Sequence, residues 1–308
     1  MKNLKLLLVS LAILFSHNLT MGQGPKDGKN ERNPVKSALN AFKFRSIGPA
    51  FMSGRIADIA IDPKNENVWY VAVGSGGVWK TENSGTTWTP LADNMPFYST
   101  GCITIDPHNN ASIWLGTGEN VGGRHVGIGH GVYHSKDGGK SWKDMGLKKS
   151  EHISKIIVHP DDPNTVWVAS QGPLWSPGGE RGLFKTTNGG KTWKNTLDIN
   201  EWTGVTDLVI DPNNPNILYA ASWQKHRNVA ALIGGGPGTS LYKSVDGGDN
   251  WSKIDKGLPK SNKGKIGLAI SPMQPNVLYA AVELDKRAGA VYRSDNSGGS
   301  WKKMSDTV

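Results

Sequence analysis

The sequence predicts an all-β fold, a β-propeller of four-stranded antiparallel blades, on three observations. A turn motif, Ser/Thr-x-Asp/Asn-x-Gly-x-x-Trp, recurs roughly every 50 residues, a period that marks an array of supersecondary units burying their faces against one another. A short apolar run ending in Pro precedes each copy, and a second β-branched or aromatic run lies between the two. Both runs are bounded by Pro, Asn and Gly, as strands are.

The five turns begin at Thr81, Ser135, Thr186, Ser244 and Ser294. In each, the Asx side chain can accept backbone N–H groups of its own loop, Gly supplies a positive φ, and Trp fills the space beneath. Asn83, Trp88, Asp137, Trp142, Asn188, Trp193, Asp246, Trp251, Asn296 and Trp301 are therefore expected to be structural staples rather than site residues. The first apolar runs end at Pro63, Pro107, Pro160, Pro212 and Pro272, where a residue with no N–H terminates the first strand. The second runs are centred on Trp69, Trp114, Trp167, Tyr219 and Tyr279. A third strand leads into each turn and a fourth starts at its Trp. This places blades at residues 54–93, 101–147, 153–198, 205–258 and 265–305.

Residues 1–22 read as a secretory signal: Lys2 and Lys5, then an apolar run at 6–15 too short to span a bilayer, then small residues. Residues 23–41, rich in Gly, Lys, Asn and Pro, read as a disordered leader. The mature chain, with no later membrane span, is expected in the periplasm or outside the cell. Cys102 is the single cysteine, which excludes an internal disulfide; its apolar neighbours predict a buried small hydrophobe. The net charge of +9 is spread over similar turns, as at Lys140, Lys191 and Lys302, which suits a solvated rim and not a nucleic-acid surface.

The turn resembles the Asp-box, or BNR repeat, of sialidases, xyloglucan-cleaving hydrolases and the Vps10/sortilin propeller. The stretches Phe44-Arg-Ser-Ile-Gly-Pro49, Ser53-Gly-Arg-Ile56, Gly76-Gly-Val-Trp-Lys-Thr81, Gly172-Pro-Leu-Trp175 and Glu180-Arg-Gly182 are similar to a group of exported bacterial proteins with a sortilin N-terminal-like propeller. Members of that group often carry a glycosyl hydrolase label and are usually longer. The resemblance implies that the five visible blades belong to a larger propeller of seven to ten blades; a closed five-bladed ring is the alternative.

In an up-and-down blade the first-to-second and third-to-fourth turns share one end, so the repeated turns form a uniform face. Function is expected on the opposite, irregular face. Of 12 tryptophans, five lie in the turns and four (Trp69, Trp79, Trp114, Trp167) in strands. Trp175, Trp202 and Trp223 remain, all in irregular segments, where they can stack on sugar or peptide. With Arg124, Arg181, Arg227 and Arg287 they make the expected ligand-binding set, for a protein, peptide or glycan. A glycoside hydrolase reading would draw a carboxylate pair from Glu119, Glu180, Glu201 and Glu283; the sialidase Phe-Arg-Ile-Pro signature is absent. No metal-ligand spacing or phosphate-binding loop is present, so no cofactor is expected.

Overall fold

The computed structural model describes residues 54–123, 126–284 and 289–305. The expected signal and leader, the stretch from Phe44 to Ser53, and Arg124, His125, Asp285 and Arg287 lie outside the described residues. The described residues form five four-stranded antiparallel sheets, each with its strands hydrogen-bonded in chain order. The first blade holds β1 (Ile56–Ile61), β2 (Trp69–Val73), β3 (Gly77–Thr81) and β4 (Thr89–Pro90), and the second β5 (Thr100–Asp106), β6 (Asn109–Thr117), β7 (Val132–Ser135) and β8 (Lys143–Asp144). The third holds β9 (Ile153–His159), β10 (Asp162–Ser170), β11 (Gly182–Thr186) and β12 (Lys194–Leu197). The fourth starts with β13 (Thr203–Asp211) and β14 (Asn214–Gln224). It is interrupted by a two-stranded ribbon, β15 (His226–Arg227) and β16 (Leu232–Ile233), and ends with β17 (Leu241–Ser244) and β18 (Ser252–Lys253). The fifth holds β19 (Lys263–Ile270), β20 (Leu278–Leu284), β21 (Gly289–Ser294) and β22 (Lys302–Lys303). Among the described residues there is one 3-10 turn, Lys148–Ser150, and no α-helix.

The inner strands stand side by side, β1 beside β5, then β9, β13 and β19. Four apolar clusters fill the four gaps between successive blades. Side chains such as Ile113, Leu115, Leu208 and Leu218 have no exposed surface; each contributes about 1.5–3 kcal/mol by leaving water. Cys102 is in the cluster between blades two and three, where burial pushes its thiol well above the usual range.

One polar side chain also crosses each gap near the axis. Asp58 Oδ2 accepts Ile103 N (3.1 Å), Thr104 Oγ1 donates to Ile156 O (2.9 Å), Ser154 Oγ donates to Val205 O (3.0 Å), and Asp207 Oδ2 accepts Leu268 N (2.7 Å). Asp207 is buried deeply enough that loss of water raises its carboxyl above the usual range, against the pull of two backbone N–H donors.

The repeated turn is built alike in all five blades. Its Ser or Thr hydroxyl donates to the Asx Oδ1 at 2.7–3.0 Å and accepts the Gly N–H at 2.8–3.0 Å. The Gly φ lies between 79° and 89°, a region that a residue with a Cβ rarely adopts. The turn also bonds the first-to-second turn of its own blade, as Gly138 N does to Ala111 O and Gly247 N to Asn216 O; both turns thus lie at one end. The Trp reaches back to the preceding blade. Trp142 Nε1 donates to Leu91 O, Trp193 to Met145 O and Trp301 to Ile254 O, at 2.7–3.0 Å, and Trp251 lies 3.4 Å from Thr196 Oγ1. Among the described residues, Trp88 of the first blade bonds its own Gly85 carbonyl.

Candidate functional site

Opposite the turn face, three irregular segments of blades three and four meet. Residues 171–181 leave β10, residues 198–202 link the two blades, and the β15–β16 ribbon follows β14. The first is pinned by Arg181, whose guanidinium is buried and donates to four backbone carbonyls: Gln171, Pro173, Ser176 and Gly178. Burial depresses Arg181 to about 10. Arg227 N then donates to Leu174 O at 2.9 Å and Gly178 N to Glu201 O at 2.8 Å, which ties ribbon and link to the loop.

This scaffold presents one aromatic–cation pair and one pair of aromatic rings. The Arg227 guanidinium carbon lies 5.6 Å from the Trp175 ring centroid; Arg227 is buried and Trp175 is 51% exposed. The Trp202 and His226 rings lie 4.0 Å apart. The ribbon adds exposed apolar side chains, Val229, Leu232 and Ile233. The result is an amphipathic patch with one flat ring facing solvent, the kind of surface that stacks on a sugar face or holds an apolar side chain.

Nearer the axis lies a polar network with an unusual charge balance. Lys225 has no exposed surface, and its Nζ donates to Gln171 Oε1 at 2.6 Å. Gln171 Nε2 donates to Asn120 O and Thr206 Oγ1, both at 3.2 Å, and Lys265 Nζ donates to the same Asn120 carbonyl. The Trp223 ring is shared by both ammonium groups, Lys225 at 5.1 Å and Lys265 at 5.5 Å. Desolvation pulls Lys225 well below the usual lysine range, helped by the charge of Lys265. Lys265 is lowered by burial too, against the pull of Asp207 and Glu283. Beside the network a cavity of about 260 Å³ opens on the axis, lined by Asp58, Asn120, Lys155, Thr206, Asp207 and Lys265. His152, buried with its Nδ1 unpaired, is held to about 3 by desolvation and by the charge of Lys225.

Of the residues singled out in the sequence, Trp175, Trp202 and Arg227 come together. Trp223 does not join them on the surface: β14 runs past Ala221, Trp223 pairs across the sheet with Gly204, and its buried ring donates Nε1 to Gly234 O at 2.9 Å. Arg181 is consumed by its carbonyls. Arg124 and Arg287 lie outside the described residues. The four glutamates are dispersed. Glu119 is buried and takes Arg55 (2.7 Å), Ser75 Oγ (3.3 Å) and Gly127 N (2.9 Å), a crosslink between blades one and two. Glu180 accepts Lys149 N at 2.7 Å, and the exposed Glu283 accepts Lys265 N at 3.1 Å on blade five. Glu201 is exposed on the link. Glu180 and Glu201 flank the same loop. Lys225, Gln171 and Lys265 carry no sequence motif, and the extension of β14 is the signal that would have found them. Among the described residues no cluster of His, Cys, Asp and Glu suits a metal.

Residues 130–258 match the family model described as sortilin, neurotensin receptor 3. A probable oligoxyloglucan-reducing end-specific xyloglucanase of Neosartorya fischeri is 23% identical over 71% of this chain and 26% of its own length. Among solved structures, an ancestral GH74 enzyme is similar with a TM-score of 0.64 and 25% identity, covering 82% of this chain and 31% of that one. A YCF48 structure bound to D1 peptide has a TM-score of 0.55 and 17% identity, covering 85% and 72%. The chain thus spans about a quarter of that curated relative. The shared architecture is the β-propeller.

Proposed function

We propose that this chain is an exported binding module that holds a segment of protein, peptide or glycan on the irregular face of blades three and four. The observation that carries the reading is the exposed Trp175 ring backed by the buried Arg227, beside the Trp202–His226 pair and the apolar ribbon. Arg227 has no carboxylate partner among the described residues, so its charge is left to act on the Trp175 ring that covers it. Export rests on the amino-terminal pattern alone. That a YCF48 propeller binds a peptide and that xyloglucanases act on a glycan supports both ligand classes. The test is retention of the full chain on a peptide array and on xyloglucan oligosaccharides. Trp175→Ala and Arg227→Ala should each weaken retention about tenfold, the loss of roughly 1.4 kcal/mol. Unchanged retention of every bound probe would remove the reading.

Glycoside hydrolysis is the second reading, favoured by the names of the relatives. Its carboxylates would be Glu180 and Glu201, the two that flank the patch, since Glu119 is bonded out. Reducing-sugar release from xyloglucan, abolished by Glu180→Gln and Glu201→Gln, would establish it; the same substitutions leave a pure binder's retention within a few-fold.

A further inference from the structure

The patch on blades three and four holds two buried arginines, and the fold treats them differently. Arg181 is 3% exposed and its guanidinium meets four carbonyl oxygens, as a buried cation requires. Arg227 is 5% exposed, yet its guanidinium makes no hydrogen bond and no ion pair among the described residues. The backbone N–H that binds Leu174 O does nothing for the head group. A buried charge without acceptors is costly, so it marks a place where an acceptor is supplied from outside.

The Trp175 ring covers this guanidinium, and three contacts fix the chain around it. Arg181 holds the carbonyls of Pro173 and Ser176, and Arg227 N holds that of Leu174. The Trp175 indole itself is half exposed and makes no hydrogen bond among the described residues. Turning it aside therefore breaks no hydrogen bond and moves no backbone; it is a change of rotamer on a rigid loop. In the ribbon, Leu232 pairs directly with Arg227 and Ile233 with His226, and both apolar residues are exposed. Residues paired in this way share a face, so the flank of the guanidinium is apolar. Of the nearby carboxylates, Glu180 accepts Lys149 N and Glu201 interacts with the Arg181 charge, so neither occupies Arg227.

We infer that Arg227 is a carboxylate-receiving site gated by Trp175, and that its ligand is a peptide carrying an acidic residue beside apolar ones. The inference rests on the binding reading above and names the ligand of that site. With the indole turned outward, the two oxygens of a glutamate or aspartate side chain match the N–H fork of the guanidinium. The peptide's neighbouring apolar side chains then lie between the indole and the Leu232–Ile233 flank. A glycan is the poorer fit, because that flank meets sugar hydroxyls with apolar side chains where they need hydrogen-bonding partners.

The test places the full chain on an array in which every acidic peptide has a twin with Gln for Glu and Asn for Asp, beside glucuronate oligosaccharides. The wild type should retain acidic peptides about tenfold more than their amide twins. Arg227→Gln should abolish that ratio. Arg227→Lys, which keeps the charge without the fork, should leave an intermediate ratio and serves if the first variant does not fold. Trp175→Ala should lower retention overall yet keep the ratio, because the uncovered guanidinium still reads the acid. Peptides retained without regard to charge would overturn this inference and leave the binding reading standing. Retention of glucuronate oligosaccharides alone, an acid preference that survives Arg227→Gln, or one lost in Trp175→Ala would each overturn it too. Retention of no probe would overturn both.

Discussion

Replacing Lys225 with Met should stabilise the protein at neutral pH and destabilise it in alkali. The ammonium has no exposed surface, one hydrogen bond to Gln171 Oε1 and the face of Trp223 as its partners, and Lys265 as a like-charged neighbour. Its affinity for a proton is therefore lower folded than unfolded. A group depressed in this way contributes stability that is present above the unfolded value, about 10.4 for lysine, and lost as pH falls. Each pH unit below that point costs about 1.4 kcal/mol until the folded value is reached, so the cost at pH 7 is at most about 4.6 kcal/mol. Met fills nearly the same volume without charge. It leaves Gln171 Oε1 buried without its donor, a loss of about 1–3 kcal/mol. The difference predicts a net gain at pH 7 of at most about 1.6–3.6 kcal/mol, which shrinks as the pH rises and becomes a net loss of about 1 kcal/mol near pH 10. Urea unfolding followed by tryptophan fluorescence, for both proteins at several pH values, reads it directly. Because other lysines and tyrosines also titrate there, the difference between the two proteins is the quantity that matters. A difference that is flat from pH 7 to 10 would refute the reasoning, since the ammonium would then be as well solvated folded as unfolded.

Three further outcomes follow from described contacts. Stability should fall as the pH drops below 6.5, because His134 and His152 are held to about 4 and 3 by burial and the unfolded chain takes up the protons first; His134→Asn with His152→Asn should flatten the acid limb of a melting-temperature profile. Trp193→Phe should cost about 1–2 kcal/mol through the lost bond to Met145 O and the edge contact with Trp114, whereas Trp88→Phe should cost clearly less; equal losses in a denaturation series would mean that the backward reach of the turn tryptophan is energetically idle. Gly101→Ala should cost at least about 1–3 kcal/mol because its Cβ would overlap the Ile153 and Gly118 carbonyl oxygens, while Gly234→Ala, with open space around it, should change the urea midpoint little.

The architecture was legible because the turn fixes its own conformation with residues that sequence alone displays: a hydroxyl, an Asx oxygen, a glycine and a tryptophan at set spacing. Strand alternation did the rest, and Cys102 fell where its apolar neighbours put it. The site was only half legible. Trp175 and Trp202 stood out because nothing in the repeat accounts for them. Trp223 was misplaced because β14 continues three residues beyond Ala221, past the point where its apolar run ends. Gly204, with no side chain, leaves room for that large ring across the pair. The period of two then carries Lys225 inward, where a lysine after Trp-Gln reads as solvated loop. Glu119 shows the opposite failure: a loop glutamate looks catalytic until Arg55, Ser75 and Gly127 are seen to occupy it.

The backward bonds of Trp142, Trp193 and Trp301 have a mechanical meaning. Each blade keeps its tryptophan sealed only while the blade before it is folded, so integrity is handed down the chain in one direction. Tension applied at the amino-terminal end would strip the first blade and leave Trp142 of the second without its acceptor, then expose the next in turn. The same force at the other end would free Trp301 and leave Trp251 with its partner in place. The array should therefore unzip more easily from its beginning than from its end, as a row of roof tiles lifts from one edge and resists from the other.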